Sequence, residues 1–192
     1  MDEDNRLGVE PVTGIEKETI PMEQRLVRYT IRHPVTHCTV YGYRRGDSVV
    51  VIRVDLAVTQ RLHGRAVKEV TKGAIVRVGG MLRRFLAGAE EDLGAIAVDV
   101  SGLSGFAKDV LGAARRIPWG EVVSYSELAR MAGHPRAVRA AASVMRNNTC
   151  PLIIPCHRVI RSDGTIGGFM GKKAGGCITK KRKLLCREGV II

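Results

Sequence analysis

Cys156, His157 and Arg158 stand side by side after the run Pro151-Leu152-Ile153-Ile154-Pro155, with Val159 and Ile160 following. A thiol acts as a nucleophile in its thiolate form, and neighbouring positive charge favours that form. An apolar run ending in proline reads as a strand that buries its backbone. Proline has no N–H, so pairing stops there, and the next residue, Cys156, is predicted to be exposed. Neighbouring residues on a strand point to opposite faces, so thiol and imidazole need a bend or a bridging water to meet. A lone Cys-His pair is equally compatible with a core cysteine beside a hydrogen-bonded histidine. The segment offers sulfur nucleophilicity or plain packing.

The elements upstream must decide where that thiol sits. Ser104 is a plausible N-cap for a helix whose Phe106, Val110, Leu111 and Ala114 share one face, and Ile117-Pro118-Trp119-Gly120 ends it. Ser124 and Glu127 have capping-box spacing, which predicts a short helix to about Met131. Gly133-His134-Pro135 reads as a turn, with Pro135 at the first position of a second helix that Asn147-Asn148 stops. Two short helices across a tight turn form a helix-turn-helix. The second is Ala-rich and carries Arg136, Arg139 and Arg146, so small side chains permit close approach while the arginines supply charge. An ordinary buried Ala-rich helix has the same composition.

Charge sharpens the reading. The net charge is +12 and the pI about 10.0, yet the first 23 residues hold seven acids against two bases. Leu128 to Ser162 contains six arginines and no acid, and Lys172 to Arg187 contains seven basic residues and no acid. A basic surface gathered in one half of a chain suits phosphate backbones. Solubility or anionic lipid are the alternatives. No apolar run approaches the roughly 20 residues of a membrane span, and the acidic start is unlike a signal peptide. The composition predicts a soluble cytoplasmic protein. The five cysteines form no CxxC, so no zinc ribbon or redox dithiol is expected. His33 and His37 near Cys38 read as scattered histidines, and no metal or cofactor is expected.

In the first half, Val40 to Tyr43, the turn Arg44-Arg45-Gly46-Asp47 and Val49–Val54 predict a hairpin. Leu62 to Leu86 reads as partly helical, weakened by Gly73, Gly79 and Gly80, and Ala95–Val100 as a strand. A linker at Ser101–Gly105 divides the chain into 1–100, with an acidic lead-in, and 101–192.

Pro155-Cys156-His157-Arg158-Val159 resembles the active-site signature of the methylated-DNA–protein-cysteine methyltransferases, the O6-alkylguanine-DNA alkyltransferases. The likeness covers roughly Asp99 to Gly189. It includes Ile117-Pro118-Trp119-Gly120, Ser124-Tyr125, Pro135 to Ala140, Asn148, Ser162-Asp163-Gly164, Gly167-Gly168-Phe169 and Glu188-Gly189. The resemblance implies an α/β N-terminal domain of ribonuclease-H-like arrangement. It also implies a mostly α C-terminal domain with a winged-helix-like helix-turn-helix. It implies irreversible, single-turnover transfer of an alkyl group from O6-alkylguanine in double-stranded DNA by a monomer, and leaves O4-alkylthymine open as a second substrate. Cys156 is then the acceptor, His157 its base through a bound water, and Glu188 the group that holds His157. Asn148 organises the turn before the active site, and Tyr125 assists proton delivery to the departing guanine. Arg139 fills the stack after base flipping. Ala137, Val138, Ala140 and Ala142 press on the minor groove, with Arg136 and Arg146 beside them. The backbone carbonyls of Cys156 and Val159 read the guanine edge, and Tyr125, Val159, Phe169 and Lys181 border the pocket.

The likeness has departures. Gly171 to Thr179 is longer than the family's compact glycine-rich loop, which leaves substrate range open. Lys181 aligns with the family's lysine only if the gap precedes it, Lys183 stands where an aromatic is usual, and Cys177 is an additional loop thiol. Three rivals compete: a lesion-binding alkyltransferase-like protein, a helix-turn-helix regulator and a cysteine hydrolase. The first lacks the acceptor thiol, the second needs no Cys156-His157-Glu188 set, and no oxyanion motif supports the third.

Overall fold

Buried runs rich in β-branched and aromatic residues draw three strands together: β1 (Leu26–Ile31), β2 (Cys38–Arg45) and β3 (Ser48–Asp55). The computed structural model describes residues 26–56, 67–69, 72–172 and 174–192. The acidic lead-in to Glu23 therefore lies outside the described residues. β2 and β3 form the predicted hairpin around Gly46-Asp47, and Gly46 takes a positive φ of 59° that suits glycine in a two-residue turn. β1 pairs antiparallel to β2, and β4 (Val67–Glu69) adds parallel to β1, giving the order β3-β2-β1-β4. β4 falls in the stretch read as helical; that reading holds only from Ala74.

α1 (Ala74–Ala87) covers the sheet, burying Ile75, Val78, Leu82, Phe85 and Leu86 at helical spacing. It runs unbroken through Gly79 and Gly80, against the sequence expectation. Gly79 serves packing: a Cβ there would overlap the Tyr29 ring. Gly79→Ala is expected to destabilise the fold by about 1–3 kcal/mol despite the better helix propensity of alanine. Thermal unfolding of the variant checks this. The strand expected over Ala95–Val100 is a 3₁₀ turn at Leu93–Ala95, then a single parallel bridge of Val98 to Val51. Only Val51 N–H and Asp99 N–H bond across, so no ladder forms.

The second half is helical. α2 (Gly105–Arg115) starts on Ser104, whose hydroxyl accepts Ala107 N–H at 3.3 Å. α3 (Tyr125–Met131) carries the capping box, with Glu127 accepting Ser124 N–H at 2.6 Å and Ser124 accepting Glu127 N–H at 3.1 Å. α4 (Val138–Arg146) begins three residues after Pro135. Pro135 sits instead in a turn closed by Ala137 N–H to His134 O, where its fixed φ suits the second turn position. α2, α3 and α4 pack on one another. β5 (Val123–Ser124) pairs parallel to β6 (Val159–Ile160), and α5 (Gly176–Arg187) closes the chain. Among the described residues no helix is long and apolar enough to cross a membrane.

One apolar core joins the sheet, α1 and the helical half. Phe85 of α1 meets the Trp119 ring edge-on at 5.2 Å and the His157 ring at 6.0 Å. Lys180 of α5 donates to Leu56 O at 2.6 Å, and Val54 N–H to Thr149 O at 2.9 Å. The first half thus braces the ring of the second.

Candidate active site

Between α4 and β6 the chain must reverse without exposing its polar backbone. Asn148 does this work: its Nδ2 donates to Ile154 O at 2.9 Å, and its Oδ1 accepts Cys150 N–H at 3.0 Å. Ile154 N–H bonds Cys150 O, and Leu152 adopts a left-handed φ of 74° inside the loop. The expected strand before Pro155 is therefore a clipped turn, because Asn148 supplies bonds that a strand would take from a ladder. Cys156, His157 and Arg158 form a 3₁₀ turn, in which successive side chains diverge by about a third of a revolution. Cys156 is only 6% exposed, which corrects the expected exposure. A thiol wedged between a closed loop and a helical pair opens onto a cavity rather than onto the surface.

His157 is fully buried, and its Nε2 lies 2.8 Å from Glu188 Oε1. Glu188 also accepts Arg158 Nε at 2.8 Å, Arg158 Nη2 at 3.1 Å and Gly120 N–H at 3.4 Å. Arg158 Nη1 reaches Ile117 O at 2.6 Å, and its head lies 6.0 Å from the Trp119 ring centre. With the carboxylate on Nε2, the neutral ring carries its proton there and leaves the Nδ1 lone pair free. Nδ1 is buried and makes no hydrogen bond with the described residues. Lys181 is also fully buried; its ammonium donates to Val159 O at 2.6 Å and Gly168 O at 3.2 Å.

Burial controls the charge states. It pushes the Cys156 thiol above its ordinary range, while an Asn148 hydrogen bond and the Lys181 ammonium pull it partway back. It pushes His157 down, against the opposing pull of Glu188. Burial raises Glu188, but hydrogen bonds and charge from His157 and Arg158 outweigh it and keep the carboxylate ionised. Burial brings Lys181 down to about 8 and raises Tyr125. The sequence expectation that nearby arginines favour a resting thiolate fails, because burial outweighs the surrounding positive charge, and Arg158 is paired with Glu188. Thiol and imidazole both rest neutral.

Cys156 opens on a cavity of about 200 Å³ that Tyr125, Ala142, Met145 and Phe169 also line. Exposed Arg146, Arg161, Met170 and Lys172 complete its walls. The structure thus brings Cys156, Tyr125 and Phe169 to one cavity, with His157, Glu188, Asn148, Val159 and Lys181 behind it. On α4, Ala142 and Arg146 turn toward the cavity, whereas Arg139 and Ala140 are exposed and Val138 is half-buried. Arg136 is exposed and Ala137 half-buried just before the helix. Cys177 is half-buried in the first turn of α5, and Lys183 is exposed. His33 accepts Val35 N–H on Nδ1, Cys38 is buried, and the described residues contain no cluster of three metal-ligating side chains.

Sequence reasoning missed the role of Arg158. Its signal was present: a guanidinium inside an apolar run requires an acid, and Glu188 was already singled out. It also missed Phe85, which only packing reveals.

Residues 105–190 match the family model described as 6-O-methylguanine DNA methyltransferase, DNA binding domain. The solved Mycobacterium tuberculosis OGT in complex with DNA is 31% identical, with 84% of this chain and 92% of that one covered and a TM-score of 0.66. The chain belongs to the methylated-DNA–protein-cysteine methyltransferase family. Curated family members include the Methanothermobacter thermautotrophicus protein, 40% identical over 61% of this chain and 62% of that protein. The rat protein is 51% identical over 38% of this chain and 34% of its own length. The chain thus spans from about a third to somewhat under two thirds of these relatives. An O6-methylguanine-DNA methyltransferase from Pyrococcus kodakaraensis, 19% identical with a TM-score of 0.59, shares the family fold.

Proposed function

We propose that this chain repairs DNA by moving an alkyl group from O6 of guanine, and in principle O4 of thymine, onto Cys156, once per molecule. The observation that carries this reading is a thiol lining an open cavity with a buried His157–Glu188 pair behind it. The resting thiol is neutral, so its proton must leave as sulfur attacks. The Nδ1 lone pair of His157 takes that proton through a bridging water, and ionised Glu188 stabilises the imidazolium that forms. The sulfur–carbon bond forms as the carbon–O6 bond breaks, and the electron pair passes to guanine. Tyr125, kept protonated by burial, donates toward that leaving group. The thioether is stable and no group among the described residues is poised to hydrolyse it, so the protein is consumed.

A base within a duplex hides its O6, and rotating it out costs a few kcal/mol. Arg139, exposed on α4, fills the gap, while Arg136 and Arg146 hold phosphates and Ala137, Val138, Ala140 and Ala142 allow close approach. Val159 O and Cys156 O each accept one internal hydrogen bond, from Lys181 and from Val159 N–H. Each keeps a lone pair for the guanine edge. In this reading residues 1–100 form a ribonuclease-H-like domain and 101–192 a winged-helix-like one. The protein acts as a cytoplasmic monomer without metal or cofactor.

Incubation with a duplex containing O6-methylguanine should add one methyl group, found by mass spectrometry on the peptide that holds Cys156. Cys156→Ser should take up none. A methyl group on another residue, or none on the wild type, overturns the proposal.

A further inference from the structure

We propose that the pocket beside Cys156 favours alkyl groups ending in a negative charge, such as carboxymethyl, and that Arg161 and Lys172 set this preference. The inference rests on Cys156 being the alkyl acceptor. Any transferred carbon must reach the sulfur, so the rest of the group lies in the cavity that the sulfur lines. That cavity, about 200 Å³, has three cationic side chains in its wall and no carboxylate among the described residues.

The three cations are unspent. Arg146, Arg161 and Lys172 make no side-chain hydrogen bond or ion pair with the described residues, in contrast to Arg158 and Lys181 deeper in the site. Asp163, two residues after Arg161, accepts from Thr165 N–H at 2.9 Å and from its hydroxyl at 2.6 Å, although it feels the charge of Arg161. Arg161 and Arg146 both bear on Tyr125, opposing the upward effect of its burial, so their charges are felt at the same wall.

The geometry is held by backbone. Phe169 and Lys172 exchange two hydrogen bonds, 2.9 and 3.0 Å, around Met170-Gly171. Met170 has a φ of 50° and Gly171 of 75°. A methionine in the left-handed region costs roughly 1–2 kcal/mol, so the turn is held against its own preference. A Cβ on Gly171 would lie 3.5 Å from Arg146 Cγ, so the turn packs on the Arg146 stem. The hairpin therefore keeps Lys172 and Arg146 on one wall. The longer loop that departs from the family pattern begins here.

The chemistry selects for the anion. As sulfur attacks a carbon bearing a carboxylate, two negative charges approach within a few ångströms, and the cations offset their repulsion. A neutral substituent leaves the same cations partly desolvated without a partner. The step balances: the S–CH2 bond forms, the CH2–O6 bond breaks with its pair going to guanine, and the thiol proton goes to His157. Guanine regains a proton from Tyr125, and the carboxylate is a spectator.

DNA phosphates could also use these cations, so the test holds the phosphates constant. Duplexes of one sequence carry O6-methyl-, O6-carboxymethyl- or the neutral isostere O6-carbamoylmethylguanine. Transfer to Cys156 of the full chain is followed by mass spectrometry at low salt. The expected result is transfer of carboxymethyl about tenfold or more faster than carbamoylmethyl. That ratio should fall toward one in Arg161→Gln/Lys172→Gln and persist in Arg161→Lys/Lys172→Arg. A wild-type ratio of one or below, or a ratio unchanged in the glutamine variant, overturns the preference. Failure of all three duplexes, methyl included, overturns the transferase reading instead.

Discussion

Glu188→Gln is expected to cost about 3 kcal/mol of stability and to slow alkyl transfer by about 10²-fold or more. The carboxylate accepts from His157 Nε2, from Arg158 twice and from Gly120 N–H. A glutamine has one acceptor oxygen, and its NH2 points a donor at donors. Arg158, 8% exposed, then keeps its charge with no counterion, the condition under which breaking a buried pair is most costly. The ring responds as well. A glutamine NH2 can donate to Nε2, which moves the His157 proton to Nδ1, away from where the lone pair is needed. Thermal unfolding measures the first effect and single-turnover transfer the second. Glu188→Asp should recover part of the rate. Wild-type transfer by the glutamine variant would mean that His157 is not the base.

The helix starts and the loop around this site were legible in the sequence where their bonds are local. Ser104 and Ser124 cap helices by bonds to residues three positions away, so spacing alone announces them. Asn148 closes a loop of the next six residues, which again is short-range. What failed is what packing decides. The exposure of Cys156 was read from Pro155, yet Asn148 turned the expected strand into a loop and carried the thiol inward. Gly79 and Gly80 argued against a continuous helix, but Tyr29 requires a residue without Cβ at position 79. Ala95–Val100 has strand composition, and one bridge is all that the edge of β3 gives it. Lys181 could be aligned only by placing a gap. Its burial against Val159 O and Gly168 O fixes it beside the thiol.

Burial also sets the terms for catalysis. The site does not store a thiolate; it stores an ionised Glu188, held by Arg158, and a neutral imidazole. In the proposed transfer the thiol would therefore lose its proton as it attacks, not before. A buried neutral thiol is protected from oxidation and stray alkylation, which suits the single use that the proposed transfer would make of it.

Arg139→Ala should slow repair of O6-methylguanine in duplex DNA by roughly 10- to 100-fold, a part of the few kcal/mol that unstacking a base costs. Arg139 is exposed in the first turn of α4 and makes no ion pair with the described residues, so its removal should leave the fold intact. Its planar head can stack where the base stood and bond the flanking phosphates together, which alanine cannot do. The alkyl pocket lies at the other end of the same helix, where Ala142 and Arg146 line it. Reaction with the free alkylated base, which needs no extrusion, should therefore hold its wild-type rate. Arg139→Lys keeps the charge without the plane and should fall between. Both rates come from the same single-turnover assay with duplex or free base as substrate. If alanine slows the two substrates equally, Arg139 does not serve base extrusion. If lysine restores the duplex rate fully, charge alone carries its role.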